Sequence, residues 1–254
     1  MILIIFGSKS DSHIYEPLLK SLGNQAELRI ASAHKSPNYL NEVLKDVNDK
    51  YKLIIAGAGL AAHLPGVIAS KTIRPIIGLP VNVNFEGIDS LLSIVQMPPS
   101  VPVLSVGVDN WREAGENARL MLIQYSSVNI MNSKLVDKAG LEKISELLSS
   151  FDVKFDFSDE LNLNAINIRC INITEIVQNS TANEKCLAIN IPISEHSNLS
   201  NVKDLFKLTK KGMWVGLNRF ENAAIAAVQI INLDNQHSEK LISYKRKLEN
   251  MFKK

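Results

Sequence analysis

Three short segments of this sequence carry residues suited to proton transfer and anion binding. Gly7-Ser8-Lys9-Ser10-Asp11 joins a glycine turn to two hydroxyls, a cation and a carboxylate. A turn of this kind leading into a helix presents free N–H groups and the positive end of the helix dipole, which suits a phosphate. Ser8 and Ser10 add hydroxyl donors, and Asp11 suits a sugar hydroxyl. Ser32-Ala33-His34-Lys35-Ser36-Pro37 sets a histidine beside a lysine. An imidazole, with an unperturbed pKa of about 6.5, exchanges protons readily near neutrality. The third segment, Ala56-Gly57-Ala58-Gly59-Leu60-Ala61-Ala62-His63-Leu64-Pro65-Gly66, offers glycines that let backbone approach a ligand, and a second histidine. Each segment alone also has an ordinary structural reading. Asp11 is a fair helix N-cap, a lone histidine is more often structural than catalytic, and His63 suits a turn. Gly57, Gly59 and Ala62 nearly spell a dinucleotide fingerprint. That motif belongs on a first strand and wants an acid about 20 residues on, where this chain has Ile76–Leu79.

The elements around these segments alternate. Ile2–Phe6 is a continuous apolar run ended by Gly7, as a strand covered on both faces requires. A helix from Asp11 or Ser12 to Leu22 follows, then a strand over Glu27–Ala31 and a helix from Ser36-Pro37 to Lys50, with Pro37 in its first turn. Leu53–Ala56, Pro75–Leu79 and Val101–Val106 read as strands. Leu64–Ser70, Asp89–Val95 and Ala114–Tyr125 read as helices. Alternation of this kind predicts an α/β fold with a parallel sheet covered on both faces, its ligands beyond the carboxyl ends of the strands. Gly7, Ser32 and Gly57 all fall there.

Composition narrows the function classes. The chain has 254 residues, 46% hydrophobic and 21% charged, with a net charge of +2. That balance argues against an electrostatic nucleic-acid footprint. No apolar run approaches the ~18 residues of a membrane span, and the apolar start is cut short by Gly7–Asp11, unlike a signal peptide. Cys170 and Cys186 lack metal-site spacing and read as buried thiols of a reducing compartment. A cytoplasmic protein without nucleic-acid or membrane partners is the expectation.

Four motifs in order and spacing, Gly-Ser-Lys-Ser-Asp at 7–11, Ser-Ala-His at 32–34, Gly-Ala-Gly-x-Ala-Ala-His-Leu-Pro-Gly at 57–66 and Asp-Ser-Leu-Leu-Ser-Ile-Val-Gln-Met-Pro at 89–98, resemble the class I PurE family over about residues 1–126. The resemblance implies a flavodoxin-like three-layer α/β/α fold, no metal and no organic cofactor. It implies a step of purine biosynthesis in which N5-carboxyaminoimidazole ribonucleotide becomes 4-carboxy-5-aminoimidazole ribonucleotide by decarboxylation and recarboxylation. Carried over by position, His34 resembles the family's general acid/base. Ser8, Ser10 and Lys35 resemble phosphate-side contacts, and Asp11 a ribose contact. Ser32, Ala58, Gly59, His63 and Leu64 resemble the wall around base and carboxylate, and Gly7 and Ala33 complete the substrate-binding set. Protonating the carbamate nitrogen releases CO2, the enamine-like ring carbon captures it, and a base removes the ring proton. One imidazole serves both transfers if a small dry pocket confines the CO2. Lys35 stands where arginine is common, keeping the charge without the bidentate fork. Leu60 replaces a common glycine at an expected helix start that tolerates a side chain. Pro99-Ser100 alters a loop where glycine is usual. Two further readings stay open: carboxylation of aminoimidazole ribonucleotide by free CO2, and a non-catalytic nucleotide-binding scaffold. The intact loops around His34 and His63 weigh against the scaffold.

The second half reads as a worn copy of the first. Val106-Gly107-Val108 matches Val215-Gly216-Leu217, and Leu79-Pro80-Val81 matches Ile191-Pro192-Ile193. Asn117 and Gln124 match Asn222 and Gln229, Asp89 matches Asp204, and Ser8-Lys9 matches Ser133-Lys134. Nine of the 12 glycines and eight of the nine prolines precede residue 130, so the copy has lost its special-geometry loops. Cys170–Asn179 stands in place of the glycine–histidine loop and Asp156–Leu161 in place of the Ser-Ala-His loop. His196 and His237 match no motif position and read as surface residues. The expected division is a PurE-like catalytic domain at 1–127 and a degenerate copy with a terminal helix at 128–254. Since the family forms octamers, two copies per chain imply a homo-tetramer of pseudo-octameric form. The implied partners are the phosphoribosyl aminoimidazole substrate and, transiently, the ATP-dependent carboxyaminoimidazole ribonucleotide synthase.

Overall fold

The computed structural model describes residues 1–131, 138–173, 186–195 and 198–253. Ser133-Lys134, most of Cys170–Asn179 and His196 lie outside the described residues. The first half runs β1 (Ile2–Phe6), α1 (Ser12–Leu22), β2 (Ala26–Ile30), α2 (Pro37–Leu44), α3 (Val47–Lys50), β3 (Leu53–Gly59), α4 (Leu64–Lys71), β4 (Ile76–Val81), α5 (Ile88–Val95), β5 (Leu104–Ser105) and α6 (Trp111–Met121). The second runs β6 (Ser127–Met131), α7 (Lys138–Ser150), β7 (Lys154–Ser158), β8 (Ile166–Asn172), β9 (Ala188–Ile193), α8 (Leu199–Leu208), β10 (Met213–Trp214) and α9 (Phe220–Ile231), and closes with α10 (Ser238–Asn250).

All ten strands join one sheet in the order β2-β1-β3-β4-β5-β10-β9-β8-β6-β7. Within each set of five the pairing is parallel, and the second set repeats the order of the first from the opposite edge. The sets meet at the antiparallel pair Trp214↔Ser105. The turns after β5 and β10 repeat in detail. Asp109 N donates to Pro80 O and Asn218 N to Pro192 O, each 2.9 Å. Asp109 Oδ1 accepts from Asn82 N (2.9 Å) and Asn218 Oδ1 from Ser194 N (3.2 Å). Both residues adopt left-handed backbone, with φ 56° and 55°. At the junction Gly107 and Gly216 lie on the other half's backbone. A Cβ would stand 2.8 Å from Thr209 O at the first and 2.8 Å from Val95 O at the second.

These turns set which residues of the two halves occupy alike positions, and several matches expected from the sequence do not fall there. The helix caps Asn110 and Arg219 are equivalent, 109 positions apart, as Val106 and Val215 are. Asn117 and Asn222 are 105 apart and therefore sit one helical turn out of register. Asp89 is in the first turn of α5 while Asp204 is in the middle of α8, so that match fails in the same way. At the turn itself the shared features are the glycine of Gly107 and Gly216 and a left-handed Asp109 or Asn218 whose Oδ1 accepts from the preceding strand's end. Boundaries also move: the helix expected over Ala114–Tyr125 lies at Trp111–Met121, capped by Asn110. The helix expected over 36–50 breaks into α2 and α3, β3 runs on to Gly59, and Val101–Val106 pairs only over Leu104–Ser105. Pro102, with no N–H to give, stands in the unpaired stretch.

The core explains the sheet's continuity. One apolar layer, under α1, α6, α7 and α9, runs through both halves from Ile2 to Leu241. The opposite face of the first half is covered by α2, α3 and α4 over Leu3, Ile5, Ile54 and Ala56. In the second half the crossover from β7 to β8 has no helix, only residues 159–165, where a parallel connection normally takes about a dozen or more residues. Its backbone runs over the sheet and is satisfied by buried amides. Asn129 Nδ2 donates to Glu160 O (2.8 Å) and to Asn167 Oδ1 (2.9 Å), and Asn167 Nδ2 donates to Asn162 O (2.9 Å). Among the described residues no helix is long and apolar enough to cross a membrane. Cys170 and Cys186 are buried and unbridged, and burial pushes the Cys170 thiol up to about 12, far from a usable nucleophile.

Candidate active site

Register brings the three segments together. Phe6, the last residue of β1, pairs with Ile30 on one side and Gly57 on the other. Gly7 N then donates to Gly57 O (3.2 Å) and Ala31 N to Phe6 O (2.9 Å). The segments 7–11 and 31–36, and the end of β3 with the loop 60–63 after it, thus lie at one level on three adjacent strands, with strands about 4.8 Å apart.

Loop 31–36 is held by its own serines. Ser32 N donates to Ser36 Oγ (2.9 Å), and Ser32 Oγ accepts from the N–H groups of His34 (3.3 Å) and Lys35 (3.1 Å). Pro37 then starts α2. This clasp presents the His34 and Lys35 side chains to solvent while fixing their backbone. His63 immediately precedes α4, and its ring meets His34 edge to face, centroids 5.0 Å apart and planes at 81°. Two imidazoles far apart in sequence thus share one rim.

Loop 7–11 is equally ordered. Ser8 Oγ accepts from Ser10 N (3.2 Å) and lies 2.7 Å from Ser10 Oγ, which donates to Asp11 Oδ1 (3.0 Å). Tyr15 OH donates to Lys9 O (3.2 Å), and the Tyr15 ring packs on Phe6 at 5.3 Å. Asp11 is only 5% exposed. Burial lifts its carboxyl above the usual range, and the neighbouring charge of Asp109 adds to the rise. Asp109 belongs to none of the three sequence segments. Its one signal was the repeated Val-Gly-Val-Asp and Val-Gly-Leu-Asn turns.

Gly57 is a contact between these loops. A Cβ there would stand 2.2 Å from Phe6 Cε1, and Phe6 is fully buried against Tyr15. Gly57→Ala is therefore expected to displace Phe6, and Lys9 through Tyr15. Overpacking of this kind costs about 1–3 kcal/mol, and for a chain of this size each 1 kcal/mol lowers Tm by about 2–4 °C. Thermal unfolding at the wild-type Tm would contradict the packing described.

Leu60 requires a correction. It does not sit at a helix start. Its φ is 56°, left-handed backbone that favours glycine, and α4 begins only at Leu64. Ser100 likewise holds φ 69°. Both departures from the family pattern place a side chain where glycine is the unstrained choice. Leu60, Val83 and Phe85 are exposed apolar residues. The groove of about 420 Å³ lined by Asn48, Ile73, Ser100, Lys245 and Phe252 shares no residue with the three loops.

The second half offers no such rim among its described residues. The place of loop 31–36 is taken by the crossover and its asparagine network, and His237 stands apart, beside α10. The AIR carboxylase family matches residues 1–139. The N5-carboxyaminoimidazole ribonucleotide mutase of Methanocaldococcus jannaschii is 43% identical over 163 residues, 63% of this chain and 96% of that protein. The protein of that name from Saccharolobus solfataricus is 41% identical over 150 residues, 57% of this chain and 90% of its own length. A chloroplastic phosphoribosylaminoimidazole carboxylase from Vigna aconitifolia is 45% identical over 123 residues, 46% of this chain and 22% of the plant protein.

Proposed function

This chain belongs to the AIR carboxylase family, and from that premise we propose that it converts N5-carboxyaminoimidazole ribonucleotide to 4-carboxy-5-aminoimidazole ribonucleotide, an isomerisation of de novo purine biosynthesis. The observation that carries the reading is the His34–His63 edge contact on adjoining loops. It sets a titratable group at a rim whose other residues suit a phosphoribosyl ligand. His34 protonates the carbamate nitrogen as the N–CO2 bond breaks, and the ring carbon takes up the CO2. The same imidazole then removes the ring proton. His63 and Leu64, with the backbone of Ala33, Ala58 and Gly59 and with Ser32, wall the base and carboxylate. Gly7, Ser8, Ser10 and Lys35 hold the phosphate, and Asp11 the ribose.

Lys35 acts in this reading as a point charge. Lys35→Ala is expected to raise KM for the ribonucleotide by about tenfold, the loss of roughly one charge-assisted contact, with kcat nearly unchanged. A fall in kcat at unchanged KM would instead place Lys35 in the chemistry.

Residues 1–127 form the catalytic part of this proposal, and 128–254 a catalytically silent copy. The repeated strand order and the amide-filled crossover support that division. Four chains would reproduce eight fold units, a homo-tetramer with four active sites. Contact with the ATP-dependent synthase would be transient, and the unbridged cysteines suit a cytoplasmic enzyme. The test offers the purified chain both N5-carboxyaminoimidazole ribonucleotide and aminoimidazole ribonucleotide with bicarbonate. Preference for the first supports the mutase. Preference for the second would favour direct carboxylation, and binding without turnover of either would favour a scaffold.

A further inference from the structure

The loop Gln96–Val101 after α5 lies between the rim of the site and the second half. On the site side Met97 rests on Gly66 in the first turn of α4. A Cβ at Gly66 would be 3.3 Å from both Met97 Sδ and Cε, so the thioether bears on bare backbone close to His63 and Leu64. On the other side the loop is gripped by the second half. Arg219 Nε donates to Met97 O (2.9 Å), and Asn222 Nδ2 donates to Pro98 O (3.0 Å) and reaches Val101 O (3.5 Å). Tyr244 OH donates to Ser100 Oγ (2.7 Å), where the backbone is left-handed. The equivalent bond in the opposite sense runs from Asn110 Nδ2 to Lys210 O (2.9 Å) and grips the second half instead.

The geometry points to Arg219, supported by Asn222, as a positioning residue for the first half's chemistry. By holding Met97 O it sets where Met97 bears on α4, and so where His63 and Leu64 stand relative to His34. The copy that carries no site of its own thereby keeps a part in the reaction. The inference rests on reading 57–66 as the wall of the reaction pocket. It separates phosphate binding from the geometry at the reacting base, because Ser8, Ser10 and Lys35 leave other strands, while the wall residues His63 and Leu64 follow α4.

The test uses the full chain with N5-carboxyaminoimidazole ribonucleotide as substrate. Arg219→Ala is expected to lower kcat by about tenfold or more while KM changes little, since small misplacements of pocket groups act on the reacting geometry. Arg219→Lys, which keeps a charged donor near Met97 O, should recover part of the loss. Asn110→Ser, which removes the equivalent bond while keeping a capping oxygen, should stay within about twofold of wild type. A wild-type kcat in folded Arg219→Ala would overturn the inference. So would an equal loss in Asn110→Ser, or a loss that only tracks the unfolded fraction seen by circular dichroism. Should Arg219→Ala not fold, Arg219→Gln decides by the same criteria. An inactive wild type would sink the functional reading first. An active wild type indifferent to Arg219 would sink this inference alone.

Discussion

His34→Asn is expected to fold as the wild type does, to bind the ribonucleotide, and to turn it over about 10²-fold or more slowly, the usual scale for losing a general acid–base group. The fold should survive because His34 is exposed and its loop is held by Ser32 and Ser36, not by the imidazole. Binding should survive because Gly7, Ser8 and Ser10 of the proposed phosphate seat lie on the separate loop after β1, and the backbone of Lys35 is held by Ser32 independently of the imidazole. Turnover should not survive, because asparagine keeps the shape of a donor without a proton to exchange. His63→Asn is expected to be milder if His63 orients substrate. Near-normal kcat in His34→Asn would remove that residue from the chemistry. A fall in both variants to the same level would mean that the two rings act as one unit.

A chain ending at Ser127 is expected not to persist as a soluble, folded monomer. Leu91 and Val95 of α5 are fully buried, and their cover is Leu205, Leu208 and Trp214 of the second half. Each large apolar side chain returned to water costs about 1.5–3 kcal/mol, and a few such losses approach the ~5–15 kcal/mol that holds a domain together. Polar losses add to this. Arg74, 2% exposed, donates to Asn232 O (3.1 Å) and Asn235 Oδ1 (2.6 Å). Without residues 232–235, Asn48 O is the acceptor that remains for its guanidinium among the described residues. Light scattering and circular dichroism on the fragment would read the outcome. A folded fragment, monomeric or octameric, turning over at the full-length rate would show the second half to be dispensable.

Much of this was legible in the sequence where covalent geometry limits the choices. Ile2–Phe6 ended by Gly7 is a buried strand by pattern alone, and the matching Val-Gly pairs mark the two alike turns after β5 and β10. What stayed hidden depends on contacts between distant residues. Nothing near Arg74 announces partners some 160 positions away, and nothing in Met97 tells that Arg219 holds its carbonyl. The short crossover at 159–165 was invisible because its stabilising residues, Asn129 and Asn167, look like ordinary strand positions. The site was legible as three segments, but the meeting of His34 with His63 required the register of β1 with both β2 and β3. Leu60 misled for a related reason: a backbone angle, not a residue type, decides whether glycine is needed.

The most direct measurement follows N5-carboxyaminoimidazole ribonucleotide, labelled with ¹³C in its carboxyl group, through the purified full-length chain in buffer stripped of bicarbonate. The account predicts steady conversion to 4-carboxy-5-aminoimidazole ribonucleotide with the label retained, because the CO2 released is captured before it escapes. Conversion only when bicarbonate is supplied, or none at all, would contradict it.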